Sequence, residues 1–486
     1  MTDKSEYDIV VLGAGPGGYV AALRAAQRGA RVCLIEAGPV GGTCLNVGCI
    51  PTKAMLHASE LAWQMRSAAE FGLVSPAPAV DGPAFFGRVN KVVASLNRGV
   101  EYLLKTRKVD LVPGRGRLTA ADTIAVTVAQ PPPAVSGNLA QPPSAVKGPE
   151  SVLVIKARSI IIATGSQPAR PAFLPWDSGC VMTTDEAVRA VSLPQSVIIL
   201  GGGVIGCEFA TMYAELGIPT TVVEMLPSLV ANLDADIIKA VTASLKKRGV
   251  NIIVGASIAS ASAVEGNWGA RNIQAELAGG QTLEASHLLA AVGRPPNTAD
   301  IGLEQLGVAM DGKVIRVDDH CRTSVPNIYA IGDVAETRQY AHLASRMGLV
   351  AADNAAGKDA RDDRTVVPAG MYTHPEVAIV GLSEKRAREQ HPEVKVVSFP
   401  LMALGMARAY GQTEGFVKII AQADGKVLGG AIVGAHATDT IHLIAAAIRH
   451  GQTVADLAEL IHAHPTFAEG VGEAAELWLG LPVHVP

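Results

Sequence analysis

Short apolar runs that end in glycine recur along the chain and set its architecture. Tyr7-Asp8-Ile9-Val10-Val11-Leu12 is a strand that runs into Gly13-Ala14-Gly15-Pro16-Gly17-Gly18. A helix continues over residues 21–27, and Arg31-Val32-Cys33-Leu34-Ile35-Glu36 is the next strand, which makes a βαβ unit. The pattern returns about 190 residues later. Ser196-Val197-Ile198-Ile199-Leu200 is a strand, Gly201-Gly202-Gly203-Val204-Ile205-Gly206 a turn, and a helix runs on to about Gly217 before the strand Thr220-Thr221-Val222-Val223-Glu224. Two such units, each followed by strand-like runs, read as a duplicated nucleotide-binding domain.

Between the two units, helical patterns cover residues 50–70 and 83–105, and alternating runs over 109–162 predict a small antiparallel meander. Inside that meander, Gln130-Pro131-Pro132-Pro133 through Gly148-Pro149 is rich in Pro, Ala, Ser and Gly, the composition of an insertion at a hairpin tip. Ile160-Ile161-Ile162-Ala163-Thr164-Gly165-Ser166 returns to buried strand. From about Val366 the chain mixes strands at 415–421 and 427–434 with amphipathic helices at 439–450 and 453–461. The boundaries read as 1–165, 166–290, 291–365 and 366–486.

Composition narrows the class. Hydrophobic residues are 49% and charged residues 18% of the 486, so large cores are available. A net charge of −4 carries no signal for nucleic acid or another polyanion. Six cysteines in so long a chain are no secreted disulfide framework, and Met1-Thr2-Asp3-Lys4-Ser5-Glu6-Tyr7 lacks the apolar core of a signal peptide. The most membrane-like stretch, 196–218, is split by the glycine triplet into a short strand and a short helix. These features predict a cytoplasmic protein without a membrane anchor.

The chemistry sits in three places. Gly13, Gly15 and Gly18 fit G-x-G-x-x-G, with Glu36 at the end of the next strand; Gly201, Gly203, Gly206 and Glu224 repeat the arrangement at the same offset. In such a turn the first glycine allows the bend and the second lets backbone approach a pyrophosphate. The third lets helix pack on strand, and the acid accepts from ribose hydroxyls. Glu224, with no Lys or Arg after it before Lys239, favours NAD over NADP. The third place is Gly41-Gly42-Thr43-Cys44-Leu45-Asn46-Val47-Gly48-Cys49-Ile50-Pro51-Thr52-Lys53. A bare Cys pair of this spacing would equally be two buried thiols. Beside two nucleotide turns it reads as a redox-active disulfide, with a thiolate stabilised near a helix N-terminus. Nicotinamide moves hydride and a disulfide reacts by thiolate attack; a flavin accepts either. The first site is therefore expected to hold FAD and the second NAD.

With these residues in view, the chain resembles the flavoprotein disulfide reductases over nearly its whole length. Within them it is similar to the branch that oxidises protein-bound dihydrolipoamide. The segment 41–53 matches the redox motif, and Ile331-Gly332-Asp333 matches the motif whose Asp binds FAD. Ala341-His342 opens a helix aimed at the flavin. Gly293-Arg294-Pro295-Pro296-Asn297 resembles the strand-end motif after the NAD domain. Ile461-His462-Ala463-His464-Pro465-Thr466-Phe467-Ala468-Glu469 resembles the C-terminal active-site motif, and Thr413-Glu414-Gly415-Phe416-Val417-Lys418 points to the same branch.

The resemblance implies an α/β fold: two Rossmann-like dinucleotide-binding domains, for FAD (1–165, completed by 291–365) and NAD (166–290), and a C-terminal α+β dimerisation domain (366–486). It implies that Cys44 exchanges with the substrate dithiol, Cys49 faces the flavin, His464 is the base and Glu469 holds its imidazole. Lys53 pairs with Glu208 near the flavin; Thr164, Gly165, Asp333, Ala341 and Gly293 contribute to cofactor binding. His462 is left to position the loop. Two departures stand out: the longer Pro-rich insertion, and Leu343-Ala344 after His342 where a more polar pair is expected. The implied assembly is a homodimer with shared active sites, served by lipoyl domains of a 2-oxo acid dehydrogenase complex or a related lipoyl protein. Another flavoprotein reductase, acting on glutathione disulfide or mercuric ion, is the alternative. Against it, no arginine closely follows Glu224, the first being Arg248, and the last ten residues hold no cysteine pair.

Overall fold

The computed structural model describes residues 5–128, 151–266 and 271–486, so the Pro-rich insertion lies outside the described residues. In chain order the first elements are β1 (Glu6–Leu12), α1 (Pro16–Gln27), β2 (Val32–Glu36), α2 (Gly42–Asn46), α3 (Cys49–Arg66) and α4 (Gly82–Thr106). Next come β3 (Asp110–Pro113), β4 (Arg115–Ala120), β5 (Thr123–Val128) and β6 (Ser151–Ile162). The second nucleotide unit follows with β7 (Val181–Thr183), α5 (Thr184–Ala187), β8 (Val197–Leu200), α6 (Val204–Glu215), β9 (Thr220–Glu224), α7 (Ala235–Lys247) and β10 (Asn251–Val254). After it run β11 (Ile258–Glu265), β12 (Arg271–Leu277), β13 (Thr282–Ala285), β14 (His287–Ala290), β15 (Met310–Asp311), β16 (Val314–Ile315), β17 (Ile328–Ala330) and α8 (Ala341–Ala355). The last segment holds β18 (Ala369–Met371), β19 (Glu376–Gly381), α9 (Glu384–Gln390), β20 (Val394–Pro400), α10 (Gly405–Ala409), β21 (Phe416–Gln422), β22 (Val427–Gly434), α11 (Ala437–His450), α12 (Val454–Ala458) and α13 (Glu469–Leu479).

Met1–Pro51, Arg88–Gln167 and Arg294–Asp363 form one compact unit. Its sheet runs β3-β2-β1-β6-β5-β4, with β17 also paired to β6. The predicted antiparallel meander over 109–162 is only partly what forms. β3 joins β2 in parallel, and β4, β5 and the first half of β6 make the antiparallel part. The second half of β6 runs parallel between β1 and β17. Its burial follows that division: Ser151–Val154 are exposed, while Ile160, Ile161 and Ile162 are wholly buried. Helices α1 and α8 are tied by Asp353, whose Oδ1 accepts from Arg24 Nε at 2.8 Å and Arg28 Nε at 2.7 Å. Burial alone would raise the Asp353 pKa, but the two guanidiniums bring it down to about 2.

Thr52–Gly87, Pro168–Gly293 and Arg364–Pro486 form the other unit. It holds a parallel sheet of order β10-β9-β8-β14-β7, the antiparallel β11-β12-β13, and an antiparallel sheet of order β18-β19-β22-β21-β20. In both sheets the order of the parallel strands reverses beside the strand that precedes the glycine turn, between β1 and β6 and between β8 and β14. The glycine turns leave the carboxyl ends of β1 and β8 at those switch points, where open α/β sheets take their ligands. The core of the last segment joins Phe399, Ile419 and Ile432 of its sheet to Ile441 and Ile444 of α11 and Ala474 and Trp478 of α13. Lys418, wholly buried on β21, is neutralised by Asp234 at 2.9 Å and Asp236 at 2.8 Å.

One predicted helix is shorter than its pattern. Thr453 starts it with a capping box to Asp456, but α12 ends at Ala458 rather than Ile461. Leu460 and Ile461 are 45% and 95% exposed, so no packing within the chain extends the helix over them. Among the described residues no helix is long and apolar enough to cross a membrane.

Candidate active site

Two glycine turns have the same internal geometry. Gly13 and Gly201 sit at φ +105° and +107°, a region that L side chains rarely adopt. A Cβ on Gly18 would lie 1.8 Å from the Gly13 carbonyl oxygen, and one on Gly206 would lie 1.9 Å from that of Gly201. Helix and strand touch there, so no side chain fits. Gly15 and Gly203 differ: a Cβ on either meets no protein atom within 4 Å. Each opens a helix without a side-chain cap. Open space beside uncapped amides is what a pyrophosphate requires.

The acids do more than the sequence indicates. Glu36 accepts from the amides of Ala14 at 2.5 Å and Gly38 at 2.8 Å; Glu224 accepts from Gly202 at 2.5 Å and Leu226 at 2.8 Å. Each carboxylate therefore fastens its own glycine turn and keeps lone pairs for ribose hydroxyls. At Glu224 the fixed negative charge works against a 2′-phosphate. Catalytic efficiency with NAD+ is expected to exceed that with NADP+ roughly 10- to 100-fold, the worth of one or two charge-assisted hydrogen bonds. Equal efficiencies in steady-state assays would contradict this assignment.

Cys44 lies half-buried inside α2, and Cys49 is the exposed first residue of α3. The intervening turn is close-packed: a Cβ on Gly48 would stand 3.0 Å from the Thr43 carbonyl oxygen and 3.4 Å from the Cys44 Cα. Asn46 secures α2 by donating to the carbonyls of Val40 and Gly42, both at 2.9 Å, while accepting from Asn97 at 2.8 Å. A thiolate on Cys49 gains from the positive end of α3. The remaining cysteines are buried, and burial pushes the Cys33 and Cys207 thiols up to about 12.

Asp333 follows β17, where Ser166 Oγ donates to its Oδ2 at 2.6 Å. Burial raises the Asp333 pKa more than this bond and the Arg294 charge lower it. Arg294 itself donates to Ser166 Oγ at 3.2 Å and reaches Thr43 Oγ1 at 3.4 Å. Thr164 and Gly165 are laced to Asn297: Thr164 Oγ1 donates to its carbonyl at 2.8 Å, and its amide donates to the Gly165 carbonyl at 2.8 Å. Ala341 begins α8, whose N-cap Tyr340 provides no side-chain cap. The unexpected Leu343-Ala344 pair is buried, and Ala344 lies against the glycine turn, its carbonyl oxygen 2.9 Å from where a Gly17 Cβ would be. Apolar residues there serve helix packing. Gly293 sits at φ +103° at the end of the NAD segment and accepts the Ala169 amide at 3.0 Å.

Lys53 is brought to Glu208, its Nζ 2.9 and 2.8 Å from the two carboxylate oxygens. Sequence reasoning missed what surrounds the pair. In the loop between β18 and β19, Tyr372 donates its amide to Glu208 and covers Lys53 with its ring, while His374 bonds Glu215. Burial alone would raise the Glu215 pKa; His374 and Arg248 reverse that and hold it below the ordinary carboxylate range. The only sequence signal was a second buried acid, seven residues after Glu208, on a helix read as apolar.

His464 and Glu469 form a dyad at the start of α13. His464 Nδ1 lies 2.8 Å from Glu469 Oε1, and Glu469 Oε2 accepts the Thr466 amide at 2.7 Å. Burial pushes Glu469 up, but the Thr466 amide and His464 outweigh it and its pKa is lowered. The ionised acid is a hydrogen-bond acceptor for Nδ1–H of a neutral imidazole, the tautomer that leaves Nε2 as acceptor on a side chain 78% exposed. His462 is held beside Gly472, where a Cβ would come within 3.1 Å of its ring. Burial lowers its pKa, against the opposing charge of Glu469.

The chain is similar to known proteins over nearly its whole length. Residues 7–348 match the family "pyridine nucleotide-disulphide oxidoreductase", and 367–475 match its dimerisation domain. The dihydrolipoyl dehydrogenase of Chlamydia muridarum is 40% identical over 484 residues, 99% of this chain and 98% of that protein. A dihydrolipoyl dehydrogenase of Bacillus subtilis is 38% identical over 483 residues, 99% of each. Among solved structures, LpdA from Mycobacterium tuberculosis superposes with a TM-score of 0.86 at 29% identity, covering 97% of this chain and 99% of that one. The HOCl-induced flavoprotein disulfide reductase RclA from Escherichia coli gives 0.83 at 27% identity, covering 97% and 100%.

Proposed function

This chain belongs to the pyridine nucleotide-disulphide oxidoreductase family, and from that premise we propose that it has dihydrolipoyl dehydrogenase activity, oxidising protein-bound dihydrolipoamide to lipoamide and reducing NAD+. Its cofactors are FAD and NAD, and the family's dimerisation domain makes it a homodimer. Bound FAD supplies the junction between dithiol and hydride chemistry, which no side chain provides. The two open second glycines, Gly15 and Gly203, fit two dinucleotides.

The observation that carries the reading is the His464–Glu469 dyad. A substrate dithiol must lose a proton before it attacks a disulfide, and an imidazole held by an ionised acid is placed to accept it. The substrate thiolate attacks Cys44, and Cys49 departs as the thiolate that the start of α3 favours. The second substrate thiol then attacks the mixed disulfide; lipoamide leaves and both cysteines are reduced. Lys53 and Glu208 keep a fixed charge pair along α3 from Cys49. The natural electron donors are lipoyl domains of a 2-oxo acid dehydrogenase complex or a related lipoyl protein.

Steady-state turnover tests the proposal. Dihydrolipoamide with NAD+ is expected to support rates far above those with glutathione disulfide or mercuric ion and NADH. Preferential turnover of either alternative would replace the assignment.

A further inference from the structure

Two buried glutamates lie seven residues apart on α6, Glu208 at 4% and Glu215 at 0% exposure. Each meets α3: Lys53 Nζ bonds both oxygens of Glu208, and Ser59 Oγ donates to Glu215 Oε2 at 2.8 Å. The β18–β19 loop crosses both contacts. Tyr372 N donates to Glu208 Oε1 at 2.9 Å, and Lys53 Nζ lies 4.5 Å from the Tyr372 ring centroid. Two residues on, His374 Nδ1 lies 2.8 Å from Glu215 Oε1. Ser244 Oγ donates to the His374 carbonyl at 2.6 Å, and Arg248 Nε holds Glu215 at 3.0 Å. The loop is thereby pinned at His374 and presents Tyr372 to the ion pair.

A lysine on four flexible carbons does not keep one geometry through charge attraction alone. The Lys53 side chain is still 31% exposed, so water competes for the ammonium on the side that Glu208 leaves open. The Tyr372 ring closes part of that side and attracts the cation through its π face. Carboxylate and ring together restrict the Lys53 ammonium, one helical turn beyond Cys49.

We propose that Tyr372 is a positioning residue for the redox reaction, holding the Lys53–Glu208 pair in the geometry that the Cys49 end of α3 requires. This rests on the reading of Cys49 as the flavin-side thiol. Its requirement is an aromatic face on an anchored backbone, not a hydroxyl, since no hydrogen bond is needed from the phenol.

The test compares Tyr372→Phe with Tyr372→Leu in the FAD-loaded dimer. Tyr372 is 36% exposed, so the smaller side chain opens no sealed cavity. The phenylalanine variant is expected to stay within about twofold of wild type in kcat, with the leucine variant roughly 2- to 30-fold lower and KM for dihydrolipoamide unchanged. A second readout needs no turnover. Protein reduced with one equivalent of dithionite per flavin, two electrons that open the disulfide and leave the flavin oxidised, is titrated by its long-wavelength thiolate–flavin absorbance. In the leucine variant the midpoint is expected to move up by about 0.3–1 pH unit as the ammonium disperses. Equal kcat and equal midpoints for the two variants, at equal flavin content and melting temperature, would overturn the proposal. Should the leucine variant not fold, Tyr372→Met supplies the same loss of the π face at similar volume. Wild type inactive on dihydrolipoamide would sink the activity assigned above, while the absorbance midpoint still decides the role of Tyr372.

Discussion

Mixing two inactive variants, Cys44→Ser and His464→Gln, restores activity once their subunits exchange, to about half the native sites per heterodimer. Alone, His464→Gln loses roughly two to four orders of magnitude in turnover, because the incoming thiol has no base. Cys44→Ser loses nearly all dithiol exchange but retains the Cys49 thiolate and its long-wavelength absorbance. If each site takes its dithiol from one chain and its base from the other, a heterodimer holds one doubly defective site and one intact site. The surroundings of the dyad favour a shared arrangement. Leu460 and Ile461, just ahead of it, are exposed in the single chain and lie within the 367–475 dimerisation match. Such side chains are normally covered in an obligate homodimer. Heterodimers purified on two tags, with no activity above the parent variants, would place both halves of the site in one chain.

Gly15→Leu is expected to give a folded, colourless protein. Its backbone, at φ −65° and ψ −178°, is open to any residue, and the added Cβ meets no protein atom within 4 Å. The side chain therefore enters the space meant for ligand, and flavin content falls by about tenfold or more as the pyrophosphate loses its path. Gly18→Ala provides the contrast, since its Cβ would lie 1.8 Å from the Gly13 carbonyl oxygen and must force helix α1 off the sheet. Flavin absorbance per chain and the melting temperature of flavin-stripped protein separate the two outcomes. A yellow Gly15→Leu variant would show that the cradle is not where the cofactor's phosphates lie.

Much of this is legible in the sequence, because local spacing carries it. A strand, a three-glycine turn and an acid at a fixed offset need each other within one βαβ unit, so the pattern appears in consecutive residues. His464 and Glu469 likewise lie five residues apart, close enough for the helix start at Glu469 to bring them together. The helix over residues 453–461 failed for the opposite reason. Apolar residues at Leu460 and Ile461 continue the helical pattern, yet nothing in the chain packs on them. The meander over 109–162 failed in part because β6 is long enough to serve two sheet neighbourhoods, and strand propensity does not specify the partner.

By itself, then, the sequence determined the duplicated nucleotide turns, the cysteine pair and the dyad, because each is held by contacts within a few residues or one supersecondary unit. Tertiary structure alone decided what surrounds them. It turned Glu36 and Glu224 back onto their own turns, set Ser166 and Arg294 at Asp333, and hid Leu343 and Ala344 beside α1. It also carried the Tyr372 loop across Lys53 and Glu208. Tyr372 stands 164 residues from Glu208 along the chain. Contacts at that separation follow from how sheets and helices pack, and no local pattern in the chain encodes them.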